Sequence, residues 1–163
     1  MTQQIALRPI TPEDKDFLYR VYASTRTAEL AQVDWDEARK SAFLHMQFDA
    51  QHLYYTENYA HAQFQIVLLD GAPIGRLYVD RRAAGIRIVD IALLPEHCGQ
   101  GIGSHLLREI LAEGQARGVP VTIHVERFNP ALRLYERLGF RPVEDKGVYL
   151  LMEWTCAGTI AKQ

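Results

Sequence analysis

Three glycines fall within five residues at Gly99-Gln100-Gly101-Ile102-Gly103, after an apolar run that ends at Leu94 and before an amphipathic stretch. Successive main-chain N–H groups at a helix N-terminus form an anion site, and glycine lets a pyrophosphate reach the main chain. The plainer reading is a tight strand-to-helix turn. No Gly-Lys-Ser/Thr follows, and a Gly-x-Gly-x-x-Gly count from Gly101 would put its third glycine at Leu106. Other groups that could move protons stand near this turn in sequence. Asp90 interrupts the apolar run Ile86–Leu93, where a buried carboxylate is costly unless paired. On Val121–Glu126, a period of two puts Thr122, His124 and Glu126 on one face. A histidine near its reference value of roughly 6.5 works as a base around neutrality, or else serves as a satisfied surface side chain. Cys98 precedes the turn, and a helix N-terminus lowers thiol pKa values, which opens a subordinate reading as nucleophile or redox sensor.

These residues need a scaffold, and the composition says what kind. A chain of 163 residues fits one domain, expected over 1–154 with a loose tail over 155–163. Apolar residues make up 48% and charged residues 23%, which excludes disorder, collagen and coiled coil for the whole chain. Eighteen basic against 20 acidic residues leave a net charge of −2, so no nucleic-acid or anionic-membrane partner is expected. No apolar run nears the roughly 18 residues of a membrane span. Met1-Thr2-Gln3-Gln4 has no charged-then-apolar signal region, which makes a cytoplasmic protein the expectation. Cys98 and Cys156 make neither a disulfide framework nor a zinc spacing, and no metal is expected.

The elements follow from periodicity and punctuation. Ile5–Pro9 reads as a strand, and Thr11-Pro12-Glu13-Asp14 opens a helix with a capping hydroxyl and a proline at its first position. Asp34-Trp35-Asp36-Glu37 starts a longer helix to about Tyr59, with Phe43, Met46, Ala50 and Leu53 along one face. Strands are expected at Phe64–Leu69, Ile74–Val79 and Ile86–Leu94, with Asp70-Gly71 as a hairpin signal. A helix over Gly101–Ala116, a strand over Val119–Val125, a short helix over Ala131–Leu138 and strands at Phe140–Val143 and Val148–Trp154 complete the order. The result is a mixed α/β sheet.

Two segments together resemble the GNAT N-acetyltransferase superfamily. The first is Cys98-Gly99-Gln100-Gly101-Ile102-Gly103, against the family's Arg/Gln-x-x-Gly-x-Gly/Ala, with Cys98 standing where Arg or Gln is usual. The second is Asn129 followed by Tyr135 to Phe140, against an Asn, a helix, and Tyr-x-x-x-Gly-Phe. The resemblance implies a single-domain GNAT fold with splayed central strands and helices on both faces. It implies transfer of acetyl from acetyl-CoA to a primary amine by direct attack in a ternary complex. Gly99 to Ser104 would hold the pyrophosphate, the main chain at Leu93 and Leu94 would meet the thioester, and Asn129 would contact the cofactor. Asn129 also suits a helix cap before Pro130. Tyr135 matches the family's general acid toward the thiolate, or else is core. His124 lies five before Asn129, where some ribosomal-protein acetyltransferases of the superfamily carry a catalytic glutamate. It is the expected base, oriented by Asp90, with Glu126 as fallback.

The acceptor is expected to be a small-molecule or peptide amine, with a protein N-terminus or lysine as the alternative. A non-catalytic CoA-binding sensor or scaffold is the reading from a different class, and a homodimer is one expected assembly. Trp35, Phe43, Phe48, Tyr54, Tyr55 and Tyr59 either line an acceptor pocket or form core. Asp34, Asp36 and Glu37 are dipole partners or attract a cationic amine.

Overall fold

The computed structural model describes residues 3–156. Beyond Cys156 the expected tail lies outside the described residues. Seven strands form one mixed sheet in the order β1-β2-β3-β4-β5-β7-β6. They are β1 (Ile5–Pro9), β2 (Gln63–Leu69), β3 (Ala72–Arg82), β4 (Gly85–Leu93), β5 (Val121–Glu126), β6 (Arg141–Asp145) and β7 (Tyr149–Trp154). The helices are α1 (Lys15–Ser24), α2 (Thr27–Leu30), α3 (Glu37–Asn58), α4 (Ile102–Arg117) and α5 (Leu132–Arg137). The short α2 has no counterpart among the sequence expectations. The chain packs as two compact units, one of residues up to Tyr78 with Ile91–Cys98, the other of Val79–Asp90 with the chain from Gly99 onward.

In the first unit, β1 and β2 pair antiparallel from Ile5↔Leu69 to Pro9↔Gln65. Val21, Phe48, Ile66, Val67 and Leu77 form its buried interior. The hairpin turn sits at Asp70 and Gly71, both with positive φ (50° and 85°), the backbone a two-residue primed turn requires. Asp14, rather than the Thr11 hydroxyl, organises the entry to α1. Its carboxylate accepts from Thr11 N–H at 2.8 Å and from both ends of the Arg8 guanidinium at 2.8 and 2.9 Å. The Arg8 hydrogen bond holds the Asp14 carboxyl at about 2, below its ordinary 3.8. A carboxylate depressed on folding adds stability that is complete above its unfolded value and lost as pH falls through the folded one. Asp14→Asn should therefore flatten the acid-unfolding slope between about pH 4 and 2, and at neutral pH cost about 2 kcal/mol in urea melts. Unchanged melts would remove this pair from the stability account.

The long helix buries the face opposite the stripe seen in the sequence. Asp36 caps α3, accepting from Arg39 N–H at 2.7 Å. The buried residues of α3 are Leu44 and Phe48, whereas Met46 and Leu53 are each 57% exposed. The stripe Phe43, Met46, Ala50, Leu53 is thus the outer one. Both faces carry apolar side chains, and Tyr22 and Tyr19 pack on Phe48 to select the inner one.

In the second unit, β5 pairs antiparallel with β7 along its whole length, and β6 pairs with β7 across a bulge at Pro142/Glu144. Among the described residues the parallel register of β4 with β5 runs Ile86↔Val121 to Ile88↔Ile123. Val121, Ile123 and Val125 are buried, and Thr122, His124 and Glu126 alternate with them as expected. Leu106, Leu107 and Ile110 of α4 supply its buried face.

Candidate active site

The glycine turn takes the shape its composition demands. Gly99 and Gly101 have φ of 76° and 84°, and an added Cβ at either would meet nothing within 4 Å. They are glycine for backbone conformation and open approach, not for close packing. Gly101 is the N-cap of α4 and its carbonyl accepts from His105 N–H at 3.0 Å. The N–H groups of Ile102, Gly103 and Ser104 precede the first intrahelical bond, so they point along the axis with the positive end of the dipole. No side chain caps Gly101. This open cradle fits a pyrophosphate.

Asn129 and Tyr135 belong to the same unit. The Asn129 Oδ1 accepts from Ala131 N–H at 2.8 Å, and its own carbonyl accepts from Leu132 N–H at 3.0 Å. Asn129 therefore organises the turn into α5, and its amide Nδ2 is the group left to donate outward. The Tyr-x-x-x-Gly-Phe pattern has a structural cause. Phe140 N–H donates to the Tyr135 carbonyl at 3.0 Å, and Gly139 has φ 104°. This six-residue closure is a Schellman-type helix end. Phe140 is fully buried and meets the Tyr135 ring edge-on at 5.9 Å. Tyr135 is only 5% exposed, and burial, then the charge of Asp90, push its phenol up to about 12. It is a held proton donor at neutral pH.

His124 and Asp90 are not brought together. The register Arg87↔Thr122 puts Arg87 on the face of Thr122 and His124, while Asp90 shares the face of Ile86 and Ile88. Instead Arg87 Nε donates to Thr122 Oγ1 at 2.7 Å, and Arg87 Nη1 lies 3.3 Å from His124 Nδ1. A guanidinium only donates, so Nδ1 accepts and the proton of neutral His124 sits on Nε2. That Nε2 is buried with no hydrogen-bond partner. Burial, followed by Arg87 and Lys146 against an opposing Glu144, lowers the His124 pKa from 6.5. The ring is therefore neutral, but this geometry presents no lone pair to an amine. The expected base His124 and its expected partner Asp90 thus lie on opposite faces of the strands. Arg87 escaped the sequence reading, although its place between Ile86 and Ile88 was a signal that it faces away from the core.

In the first unit, Leu94 N–H donates to Ile74 O at 2.8 Å, and the Leu94 carbonyl accepts from His97 N–H at 2.9 Å. The Leu94 N–H and carbonyl thus each have a main-chain partner within the protein. β3 and β4 are joined by two residues, and the alternation of an antiparallel pair turns the Leu93 N–H to the edge of β4 away from β3. Gly75 permits this close pairing, since a Cβ there would lie 2.3 Å from the Ala92 carbonyl oxygen. The Cys98 thiol donates toward the carbonyls of Leu93 and Leu94 at 3.6 Å each. Burial and then Glu96 raise its pKa, the opposite of the shift a nucleophile needs. Among the described residues no group of three or more His, Cys, Asp or Glu could hold a metal ion, and no helix is long and apolar enough to cross a membrane.

The sequence profile of the acetyltransferase (GNAT) family matches residues 24–140. The chain belongs to this family of acetyl-CoA-dependent N-acetyltransferases. A Bacillus subtilis (strain 168) protein provisionally named a [ribosomal protein bS18]-alanine N-acetyltransferase is 28% identical over 164 residues, covering 94% of this chain and 97% of its own. Among solved structures, PaiA N-acetyltransferase from Thermoplasma acidophilum in complex with coenzyme A aligns with TM-score 0.70 at 20% identity, over 93% of this chain and 99% of its own. The ribosomal-protein-S18-alanine N-acetyltransferase of Escherichia coli aligns with TM-score 0.61 at 17% identity, over 98% and 97%. These structural likenesses establish the fold.

Proposed function

We propose that this acetyltransferase acts on the α-amine of a protein N-terminus. The observation that carries this acceptor class is the Bacillus subtilis relative, similar along nearly the whole chain and named as an alanine N-acetyltransferase of a ribosomal protein. The chemistry of the site agrees. An α-amine titrates near 7.7–8.0, so a sizeable fraction is neutral at physiological pH, whereas a lysine near 10.4 is almost fully protonated. A site whose histidine has Nδ1 taken by Arg87 and Nε2 buried suits the acceptor that needs less help. A ribosomal-protein acceptor would also place the enzyme in the cytoplasm.

In this proposal single residues take the following roles. Main-chain donors from Gly99 to Ser104 hold the pyrophosphate, with Gln100 and Ile102 contributing backbone rather than side chain. The Leu93 N–H polarises the thioester carbonyl, a contact of a kind worth roughly 3 kcal/mol. Asn129 donates from Nδ2 to the cofactor, and Tyr135 donates to the leaving sulfur. Water or Glu126 takes the amine proton directly, and Asp90 keeps Tyr135 protonated.

The acceptor is tested by comparing kcat/KM for a peptide with a free α-amine, the same peptide blocked there but carrying lysine, and a small polyamine. The free α-amine should lead by at least about tenfold at neutral pH. A faster polyamine would overturn the assignment in favour of a small-molecule acceptor. With the preferred peptide, His124→Ala should lower kcat/KM less than about tenfold, because general-base removal costs roughly 10²–10⁴. A hundredfold loss, with loss of the acidic limb of the pH profile, would reinstate His124 as the base.

A further inference from the structure

The outer face of α3 has a self-complementary pattern. At 3.6 residues per turn, Arg39, Phe43, Met46, Ala50, Leu53 and Glu57 fall in one stripe opposite Leu44, Phe48 and Tyr55. Their three- and four-residue alternation is the a/d spacing of a helix pair. Met46 and Leu53 are each 57% exposed, and Ala50 is exposed between them. Phe43 is half-buried edge-on against Trp35 at 5.4 Å, and Arg39 lies over that indole at 4.2 Å. A soluble surface helix normally turns a polar face outward, so this stripe is the exception.

We propose that the stripe seats a second copy of this chain, α3 against α3 in antiparallel order about a two-fold axis beside position 48. In that register Arg39 faces the partner's Glu57, Phe43 faces the partner's Leu53, and Met46 faces the partner's Ala50. Large side chains meet small ones at the centre, and the two-fold repeats the opposite-charge pair at both ends. A parallel arrangement would set Arg39 against the partner's Arg39, so charge selects the antiparallel one. One contact opposes it, because Asp49 flanks the axis and approaches the partner's Asp49. Lys15 Nζ, 3.9 Å from the Asp49 carboxylate, offsets that repulsion. The interface is isologous and closes at two copies.

Sedimentation of the full chain across roughly micromolar to 100 µM concentrations tests this. Wild type should sediment as a reversible dimer, and Met46→Glu should raise the dimer dissociation constant at least about tenfold. Arg39→Glu and Glu57→Arg should each weaken the dimer, and the double variant should recover it, since the swap restores both end pairs. All three positions are at the surface, so the variants should keep the wild-type circular dichroism. A wild type that stays monomeric throughout would overturn the proposal. So would a dimer indifferent to these changes, or a double variant no better than its singles. A monomer in which Met46→Glu raises the KM of the acceptor peptide would reassign the stripe to substrate.

Discussion

Gly101→Val should reduce acetyl-CoA affinity by at least about 100-fold in calorimetry while the protein stays folded. The expectation rests on what surrounds the residue. With φ at 84° and nothing within 4 Å of an added Cβ, the site has open space for a β-carbon. The cost of the substitution to folding is the left-handed backbone, roughly 1–2 kcal/mol. The added branched side chain instead occupies the space ahead of the α4 N-terminus, where the N–H groups of Ile102 to Ser104 converge. Gly118 supplies the control, because it has φ 67° and open space at the other end of the same helix. Gly118→Val carries a similar backbone penalty and should leave cofactor affinity intact. Equal affinity losses in both variants would mean that strain in α4, rather than a blocked anion cradle, explains the effect. Unchanged affinity in Gly101→Val would remove the loop from cofactor binding altogether.

Tyr135→Phe should lower kcat by roughly 10²-fold with the acetyl-CoA dissociation constant nearly constant, the scale of lost acid assistance. The phenol stands at about 12, while a free thiol titrates near 8.5, so full proton transfer to the thiolate is uphill by roughly 5 kcal/mol. The hydroxyl is better suited to donate a strong hydrogen bond to the departing sulfur and to share its proton as charge develops. The ring itself is held by the Phe140 closure, which phenylalanine preserves, so the variant isolates the hydroxyl. An unchanged kcat under conditions where chemistry limits turnover would return Tyr135 to the core. Asp90→Asn should lower the Tyr135 pKa, read as the tyrosinate titration that Tyr135→Phe removes.

Most of the element order was legible because its signals are local. Asp70-Gly71, the Gly99–Gly103 run and the Thr11-Pro12 start each dictate backbone shape within a few residues. The alternation on β5 was legible for the same reason. The register between β4 and β5 was not, because pairing of distant segments decides which face of one strand joins which face of the other. That register is what parts Asp90 from His124 and gives the histidine to Arg87. The inner face of α3 was ambiguous from sequence, since two opposite stripes are apolar and only tertiary packing on Phe48 separates them. The Cys98 shift was misread for a related reason. Proximity to a helix start is visible in sequence, whereas the partial desolvation of the thiol and the nearness of Glu96 are not.

The central claim is that this chain passes acetyl directly from acetyl-CoA to an α-amine, with no acetyl-enzyme. The direct test incubates the protein with acetyl-CoA, with and without an N-terminal acceptor peptide that also contains lysine. Free thiol is followed alongside the intact masses of protein and peptide. The expected result is one thiol released per acetyl gained, the acetyl on the peptide α-amine by fragment sequencing, and no acetyl on the protein without acceptor. Acetyl found on Cys98, or acetyl-CoA bound with no thiol released by any amine, would contradict it.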